Sequence, residues 1–315
     1  MTKVNGALWL DTEGNPIHCH GGHIVKFGDV YYWYGEDRRG DAYVSCYVSR
    51  DLLNWEFRGN ILTAFSKIED LYGYDCRLSA DGKKVNIERP KVVYNEKTKK
   101  YMLWAHFENG SDYRDAAVAL ASCDRPDGVF VYHGSFRPFG NMSRDCNVFF
   151  EQGKMYFVSA ANENEDLHIY QMNDTYTGVE RLVQKVFVGQ SREAPAFFHF
   201  GGKSYVITSQ CTGWLPNQGG YAFADSMESP WSAIADFGDE TTYHSQSTSV
   251  LPLNGQYIYI GDRWGGSQWD GKTIEEFDYF ESSYYFGLIK TNEDGSIEMP
   301  PCEEFAIDGG FQIIR

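Results

Sequence analysis

The chain has 315 residues, of which 16% are aromatic, together with 32 glycines and 10 prolines. This composition suits many short strands joined by tight turns, and no apolar run approaches the roughly 20 residues that a bilayer-spanning helix needs. A formal net charge of −16 argues against nucleic acid as a partner, because its phosphates would be repelled.

The beginning of the chain and its cysteines bear on where the protein works. Residues 1–6 lack the basic-then-apolar pattern of a signal peptide. The seven cysteines, an odd number without CxxC spacing, are typical of reduced thiols. We therefore expect a cytoplasmic monomer or weak oligomer, and a secreted protein whose leader was removed is the alternative.

One short phrase recurs five times: a Gly or Lys turn followed by a Tyr-centred apolar run. The phrases begin at Gly28, Lys99, Gly153, Gly202 and Gly255. Their spacing of about 50 to 70 residues suits a four-stranded sheet, and such a sheet repeated around an axis is a propeller blade. We predict an all-β, single-domain, five-bladed β-propeller with blades near 16–80, 81–140, 141–190, 191–240 and 241–315.

A polar residue precedes four of the five Tyr-rich strands. These residues are Glu88, Asp145, Glu193 and Gln246. A propeller would point all four into one axial pocket, where mutual repulsion among carboxyl groups raises at least one pKa and produces a general acid. The alternative is structural: the acids only pair with the arginines beside them and lock the blades together.

These segments resemble glycoside hydrolase family 43, whose members are five-bladed propellers. In that family a blade-three Asp modulates pKa and a blade-four Glu is the general acid, and Asp145 and Glu193 match those two positions. The closest resemblance is to the exo-β-1,3-galactanase branch. The motifs that carry it are Tyr-Tyr-Trp-Tyr-Gly-Glu36, Glu88-Arg-Pro-Lys, Met142-Ser-Arg-Asp, Arg192-Glu-Ala-Pro-Ala, Cys211-Thr-Gly-Trp, Ser245-Gln-Ser-Thr and Gly261-Asp-Arg-Trp.

The first blade departs from the wider family. Most members carry an Asp there as the general base, whereas this chain reads His18-Cys-His-Gly-Gly-His23. The galactanase branch also lacks that Asp. The resemblance implies that Gln246 positions the water, as the amide or as its imidic-acid tautomer, and Glu88 is the alternative base.

The resemblance implies inverting hydrolysis of an oligo- or polysaccharide, β-1,3-linked galactan, with release of galactose. Glu193 would protonate the leaving oxygen while water attacks C1 from the opposite face, which needs the acid and the water-holding group ~6.5–9.5 Å apart. Asp145 would help to keep Glu193 protonated until reaction.

Further residues are candidates for holding the sugar. Trp214, on a Gly-Pro loop, is the expected stacking platform, because the apolar face of a sugar stacks on an aromatic ring. Asn164 and Thr212 are candidate hydroxyl partners. Three charged residues could bind sugar or only brace the blades: Glu36, Arg89 and Arg263.

His18, His20 and His23 suggest a metal site, but their spacing is not that of a zinc site. We predict no catalytic metal and no required cofactor. An axial structural ion, calcium or sodium, or ordered water near His20 or His23 is the preferred interpretation.

Two other functions stay open. One keeps the fold and changes the sugar, giving a β-xylosidase or α-L-arabinofuranosidase. The other is a catalytically inactive carbohydrate-binding propeller, suggested by the missing first-blade acid.

Overall fold

The computed structural model describes residues 2–80, 82–265 and 276–315, so part of the fifth predicted repeat, 266–275, lies outside the described residues. Within them the chain forms 25 strands, no α-helix, and two 3-10 helices, Pro138–Gly140 and Tyr279–Glu281. None of the described helices has the length and apolar character needed to cross a membrane.

The chain forms two compact units. Unit I comprises His18–Val48 and Phe57–Ser191, and unit II comprises Met1–Ile17, Ser49–Glu56 and Arg192–Arg315.

Strand β1 (Thr2–Val4) opens the chain, and three four-stranded antiparallel meanders and a short ribbon follow. The first sheet contains β2 (His20–Phe27), β3 (Val30–Glu36), β4 (Ala42–Ser49) and β5 (Glu56–Thr63). The ribbon is β6 (Ser79–Ala80) with β7 (Lys83–Lys84). The second sheet contains β8 (Asn86–Asn95), β9 (Lys100–Glu108), β10 (Ala117–Cys123) and β11 (Val131–Phe136). The third contains β12 (Cys146–Glu151), β13 (Lys154–Ala161), β14 (Asp166–Met172) and β15 (Val179–Val186).

Two more four-stranded meanders belong to unit II. The fourth sheet contains β16 (Arg192–Phe200), β17 (Lys203–Gln210), β18 (Gly219–Ala224) and β19 (Ala235–Phe237). The fifth contains β20 (Gln246–Leu253), β21 (Gln256–Arg263), β22 (Ser283–Thr291) and β23 (Ile297–Glu298). The last strands, β24 (Glu304–Ile307) and β25 (Phe311–Ile313), pair with β1 in the order β1-β24-β25.

The prediction of an all-β propeller fold is confirmed, but the predicted number of blades needs correction. The described residues form six sheets of three or more strands, of which the sixth is the three-stranded sheet of unit II. Its strands are only three or four residues long and carry no Tyr-rich phrase, so the repeat did not reveal it. Asn5 anchors the N-terminal segment by donating from Nδ2 to the carbonyl oxygens of Phe286 and Cys302, both at 2.8 Å.

The Tyr-rich phrases form the second strand of each four-stranded sheet, and β9 shows why they are apolar throughout. Its Leu103, Ala105 and Phe107 pack into the core between the first and second sheets. The alternate residues Met102 and Trp104 pack into the core between the second and third sheets. Because successive side chains of a strand point to opposite faces, a strand buried on both faces needs an unbroken apolar run.

The first strands carry the polar candidates, and four of the five are interrupted by a β-bulge. The register shifts lie between His20 and His23, Glu88 and Lys91, Glu193 and Ala196, and Ser247 and Ser249. In the first three bulges the second residue has a positive φ: Gly21 at 58°, Arg89 at 50° and Ala194 at 55°. Bulges redirect side chains and are common beside active sites, so they define where the polar residue of each first strand points.

We expect Gly35→Ala, one residue before Glu36, to destabilise the protein strongly. A Cβ at Gly35 would lie 2.1 Å from the backbone carbonyl carbon of Cys19, which cannot move without shifting the chain. The expected loss of unfolding free energy is about 3 kcal/mol.

Gly28→Ala is the matched control. Gly28 sits in an open turn at a φ of 60° with nothing within 4 Å of its added Cβ, so only the backbone cost of about 1 kcal/mol applies. Urea unfolding of both variants measures the difference, and equal losses would contradict the steric explanation.

Candidate active site

Glu193 and Gln246 are joined directly in unit II. Gln246, the first residue of β20, donates from Nε2 to Glu193 Oε1 at 3.0 Å and to Ser209 Oγ at 2.9 Å. The indole N–H of Trp264 donates to Gln246 Oε1 at 2.8 Å. An indole can only donate, so Oε1 is the accepting end, and both amide N–H groups are used on the other side. These contacts describe the amide form of Gln246.

The separation of the two groups affects the role predicted for Gln246. A contact of 3.0 Å is much shorter than the ~6.5–9.5 Å expected between an acid and a group that holds water across the sugar. In this structure Gln246 therefore holds the carboxyl group of Glu193 in place. Its role toward water stays a prediction.

Trp214 lies beside this pair. It lines a narrow cavity of about 10 Å³ together with Gln246 and Trp264, which is close to the smallest volume that holds a water molecule. Its ring stacks on Phe277 with centroids 4.5 Å apart and meets Trp264 edge-on at 5.0 Å. Both contacts hold the indole in one orientation.

The two other unit II candidates are engaged by the protein itself. Thr212 donates from Oγ1 to the carbonyl oxygen of Leu215 at 2.6 Å. Arg263 donates from Nε to the carbonyl oxygen of Tyr243 at 3.0 Å, and its guanidinium lies 5.1 Å from the centroid of the Tyr285 ring. The contacts of Arg263 support bracing of the fifth sheet, and sugar binding by either residue stays a prediction.

In unit I, Glu88 is the centre of a buried group of charges. Its Oε1 accepts from Arg38 Nη2 at 2.9 Å and from the Tyr113 hydroxyl at 2.7 Å, and its Oε2 lies 3.2 Å from His106 Nδ1. Burial alone would raise the pKa of Glu88, but the hydrogen bond and charge of His106, aided by Arg38 and Tyr113, lower it below its usual value. Glu88 is therefore an ionised carboxylate and a weak base.

His106 connects Glu88 to a second buried carboxylate. Its Nε2 lies 2.9 Å from Glu108 Oε1, and Glu108 also accepts from the backbone N–H of Ala116 at 2.9 Å. Burial opposes the charge, but bonds to the two carboxylates raise the pKa of His106 to about 9. An imidazolium between two carboxylates is the expected state at neutral pH.

Glu36 lies at the end of β3, opposite His20 in the first strand. Burial raises the pKa of Glu36, and the nearby charge of Glu88 acts in the same direction, although Arg38 bonds its carboxylate and opposes the shift. Arg38 thus bridges two carboxyl groups whose pKa values move in opposite directions. Such a pair can supply one protonated and one ionised oxygen at the same pH.

Asp145, Arg89 and Asn164 complete the predicted set in unit I. Asp145 lies immediately before β12 and pairs with Arg89 Nε at 2.7 Å. The structural alternative pairs each acid with the arginine beside it in the chain, whereas Asp145 pairs with the arginine that follows Glu88. The ion pair orients the carboxylate of Asp145. Asn164 lies in the turn after β13 with a left-handed φ of 67°, which Asn tolerates better than most residues.

The region near His23, where the sequence predicts an axial ion, already holds a cation of the protein, the Lys91 ammonium. His23 Nδ1 accepts from the backbone N–H of Val92 at 3.3 Å, while the buried Lys91 ammonium donates to the carbonyl oxygen of Gly21 at 2.7 Å.

Among described residues, one ligand atom each of Glu88, His106 and Asp145 also lie within 4.8 Å of one another. A metal bound by His106 would have to displace the proton that the imidazole shares with Glu88 and Glu108. The axial ion stays a prediction.

Comparison with known proteins identifies the family. Residues 15–238 match the family described as glycosyl hydrolases family 43. The chain belongs to glycosyl hydrolase family 43. The resemblance to the exo-β-1,3-galactanase branch is confirmed as well, because solved galactanases of family 43 resemble the whole chain.

Two solved structures show this resemblance. The chain is 43% identical to an exo-β-1,3-galactanase from Clostridium thermocellum, with a TM-score of 0.86, covering 98% of this chain and 67% of that one. It is 30% identical to an exo-β-1,3-galactanase variant from Phanerochaete chrysosporium solved with β-1,3-galactotriose, with a TM-score of 0.85, covering 99% and 70%.

A curated relative has a different specificity. A non-reducing end α-L-arabinofuranosidase from Bacteroides ovatus is 26% identical over 217 residues, which is 67% of this chain. The chain spans only 38% of the length of that relative.

Sequence reasoning missed two residues on the Tyr-rich strands that stand opposite the predicted site residues. His106 stands directly opposite Glu88 in the pairing of β8 with β9, and Ser209 stands opposite Glu193 in the pairing of β16 with β17. A search for polar residues near the end of each Tyr-rich strand would have found them, since Glu36 and Asp262 occupy the matching positions of β3 and β21.

We expect Glu108→Gln to lower the pKa of His106 from about 9, because the buried imidazolium loses one of its two carboxylate partners. The folded-state pKa of His106 lies above the unfolded value of about 6.5. The protonated His106 therefore stabilises the folded protein fully below pH 6.5, and this stabilisation is lost as pH rises through 9. It amounts to about 3 kcal/mol. NMR titration of His106 and urea unfolding at pH 6 and pH 9 measure both effects.

Glu96→Gln is the control, since Glu96 is an exposed acid that pairs with Lys99 at the opposite end of β9 from Glu108. An unchanged His106 pKa in Glu108→Gln would show that Glu108 does not hold the charge.

Proposed function

We propose that this chain is an inverting glycosidase that releases galactose from the end of β-1,3-galactan. The observation that carries the proposal is the similarity, at 43% identity over 98% of the chain, to an exo-β-1,3-galactanase. The relative solved with β-1,3-galactotriose supports the same linkage.

Glu193 is the proposed general acid, which protonates the leaving glycosidic oxygen. The contact with Gln246 supports this role, because the amide N–H on Oε1 fixes the orientation of the carboxyl group that would donate the proton. Gln246 is itself held by Trp264 and Ser209, so the acid is oriented by a chain of hydrogen bonds. Asp145 is the proposed pKa modulator.

The water is activated by Gln246 or by Glu88, and each has a physical limitation. Gln246 is a neutral amide, although the cavity that it lines with Trp214 can hold a single water. Glu88 is ionised, but three donors lower its pKa, and a base is most effective with a pKa near the working pH. Either group would therefore orient the water more than deprotonate it before attack.

Trp214 is the proposed stacking platform for the sugar, supported by the rings that fix it in place. Further hydroxyl partners are proposed among Glu36, Arg89, Asn164, Thr212 and Arg263. The curated arabinofuranosidase relative supports one second candidate function, α-L-arabinofuranosidase activity, at 26% identity.

We expect Glu193→Gln to reduce turnover of β-1,3-galactobiose by about 10²- to 10⁴-fold while sugar binding persists, because the amide cannot donate the acid proton. With the wild-type enzyme, NMR of the released sugar should show α-galactose first, because inversion at a β-linkage gives the α-anomer. Assays with β-1,4-galactobiose, aryl xyloside and aryl arabinofuranoside test the other sugars.

Glu240→Gln, an exposed acid of unit II, is the matched control. Release of β-galactose first would refute inversion. Faster release from the arabinofuranoside would favour the second candidate, and no release from any substrate would favour a binding protein.

Trp264→Phe should lower kcat for galactobiose roughly tenfold and leave KM nearly unchanged, because the lost indole N–H frees the Gln246 amide to rotate away from Glu193. Trp231→Phe is the control for loss of an indole, because Trp231 packs against Phe197 of the fourth sheet. A changed KM with constant kcat would assign Trp264 to ground-state binding instead.

A further inference from the structure

A second cavity lies in unit I at the opposite end of β9 from Glu108. It has a volume of about 260 Å³ and lies among Tyr72, the start of β9 at Lys100, the end of β10 and the turn that contains Thr175. At ~3.3 Å per residue, β9 separates this cavity from Glu108 by about 25 Å. It is therefore distinct from the group of charges around Glu88.

The cavity presents a fixed aromatic ring. Tyr72 is 39% exposed. Its ring meets His133 edge-on with centroids 5.6 Å apart and lies 5.7 Å from Tyr74, which in turn stacks on Phe136 at 4.3 Å. These contacts immobilise the ring, so a ligand that stacks on it loses little side-chain entropy. Leu71 and Val129, 59% and 66% exposed, add apolar surface to the same cavity.

Hydroxyl groups line much of the remaining surface. Thr98, Ser122, Thr175 and Thr177 all contribute to it. His133 Nδ1 lies 3.1 Å from the carbonyl oxygen of Glu69, so Nδ1 carries the proton, and the Ser122 hydroxyl donates to Nε2 at 2.7 Å. The oxygen of Ser122 can then accept from a ligand. Burial lowers the pKa of His133, consistent with a neutral ring.

The charged groups at the cavity are neutralised in pairs. Lys100 Nζ lies 2.9 Å from Asp124 Oδ1, and Glu69 pairs with Lys67. An anionic ligand would meet no uncompensated cation among these residues. Hydroxyl oxygens that can accept from a ligand, beside an exposed ring, suit a neutral polyhydroxylated ligand with an apolar face.

We propose that this cavity is a second carbohydrate-binding site, which holds one sugar unit of a polysaccharide away from the Glu88 group. A volume of about 260 Å³ is large enough for a single pyranose ring. The site rests on the proposed function in one respect, since the sugar would belong to the same galactan. It would hold the polymer at the protein without taking part in cleavage.

Tyr72→Ala tests the site by affinity electrophoresis in native gels that contain β-1,3-galactan, with parallel gels of xylan and arabinan. We expect the Kd for galactan to rise about tenfold, because the stacking surface is lost. Turnover of galactobiose should stay at the wild-type rate, whereas kcat/KM on the polymer should fall.

Phe65→Ala is the matched control, since Phe65 is an 81% exposed aromatic residue that does not line the cavity. Val129→Asp, at an exposed position of the cavity, provides a second variant that does not disturb the packing around Tyr72. Wild-type retardation of both cavity variants in all three gels would overturn the proposal.

The outcomes separate this site from the proposed function. Retardation that depends on Tyr72, without turnover of any sugar, would support the cavity and refute the enzyme. Turnover of galactobiose with retardation that does not depend on Tyr72 or Val129 would refute the cavity and leave the enzyme intact.

Discussion

The bulges of the first strands are the constraint on which the candidate site depends. In three of the four bulges, a side chain of another first strand donates to the backbone carbonyl of the bulged residue. The three donors and their acceptors are Lys91 to Gly21 O at 2.7 Å, Cys146 Sγ to Arg89 O at 3.8 Å, and Ser247 Oγ to Ala194 O at 2.6 Å. Within each unit, these bonds tie neighbouring sheets together at the residues that follow His20, Glu88 and Glu193.

The two units hold their polar candidates by different physical means. In unit I, charges of opposite sign alternate from Glu36 through Arg38, Glu88 and His106 to Glu108, and each buried charge depends on its neighbour. Removal of one member would leave a buried charge without compensation. In unit II, Glu193 is held by the neutral donor Gln246, whose geometry tolerates either protonation state of the acid.

Much of this arrangement could be predicted from the repeat. The Tyr-rich phrases marked the second strands because a strand buried on both faces, such as β9, must be apolar throughout. The polar residues in front of four of the phrases led to Glu88, Asp145, Glu193 and Gln246. The sixth sheet was missed because its strands come from the two ends of the chain and are too short to show a period.

The sequence by itself determined the all-β propeller fold, the family and the positions that carry polar groups, since these depend on residues close together in the chain. The tertiary structure alone decided the chemical state of those groups. Glu36 and Glu88 are both glutamates on strands, yet their pKa values move in opposite directions because burial dominates at one and His106, Arg38 and Tyr113 converge on the other. The contact of Gln246 with Glu193 was also beyond the sequence, because residues 53 positions apart meet only when β16 and β20 pack together.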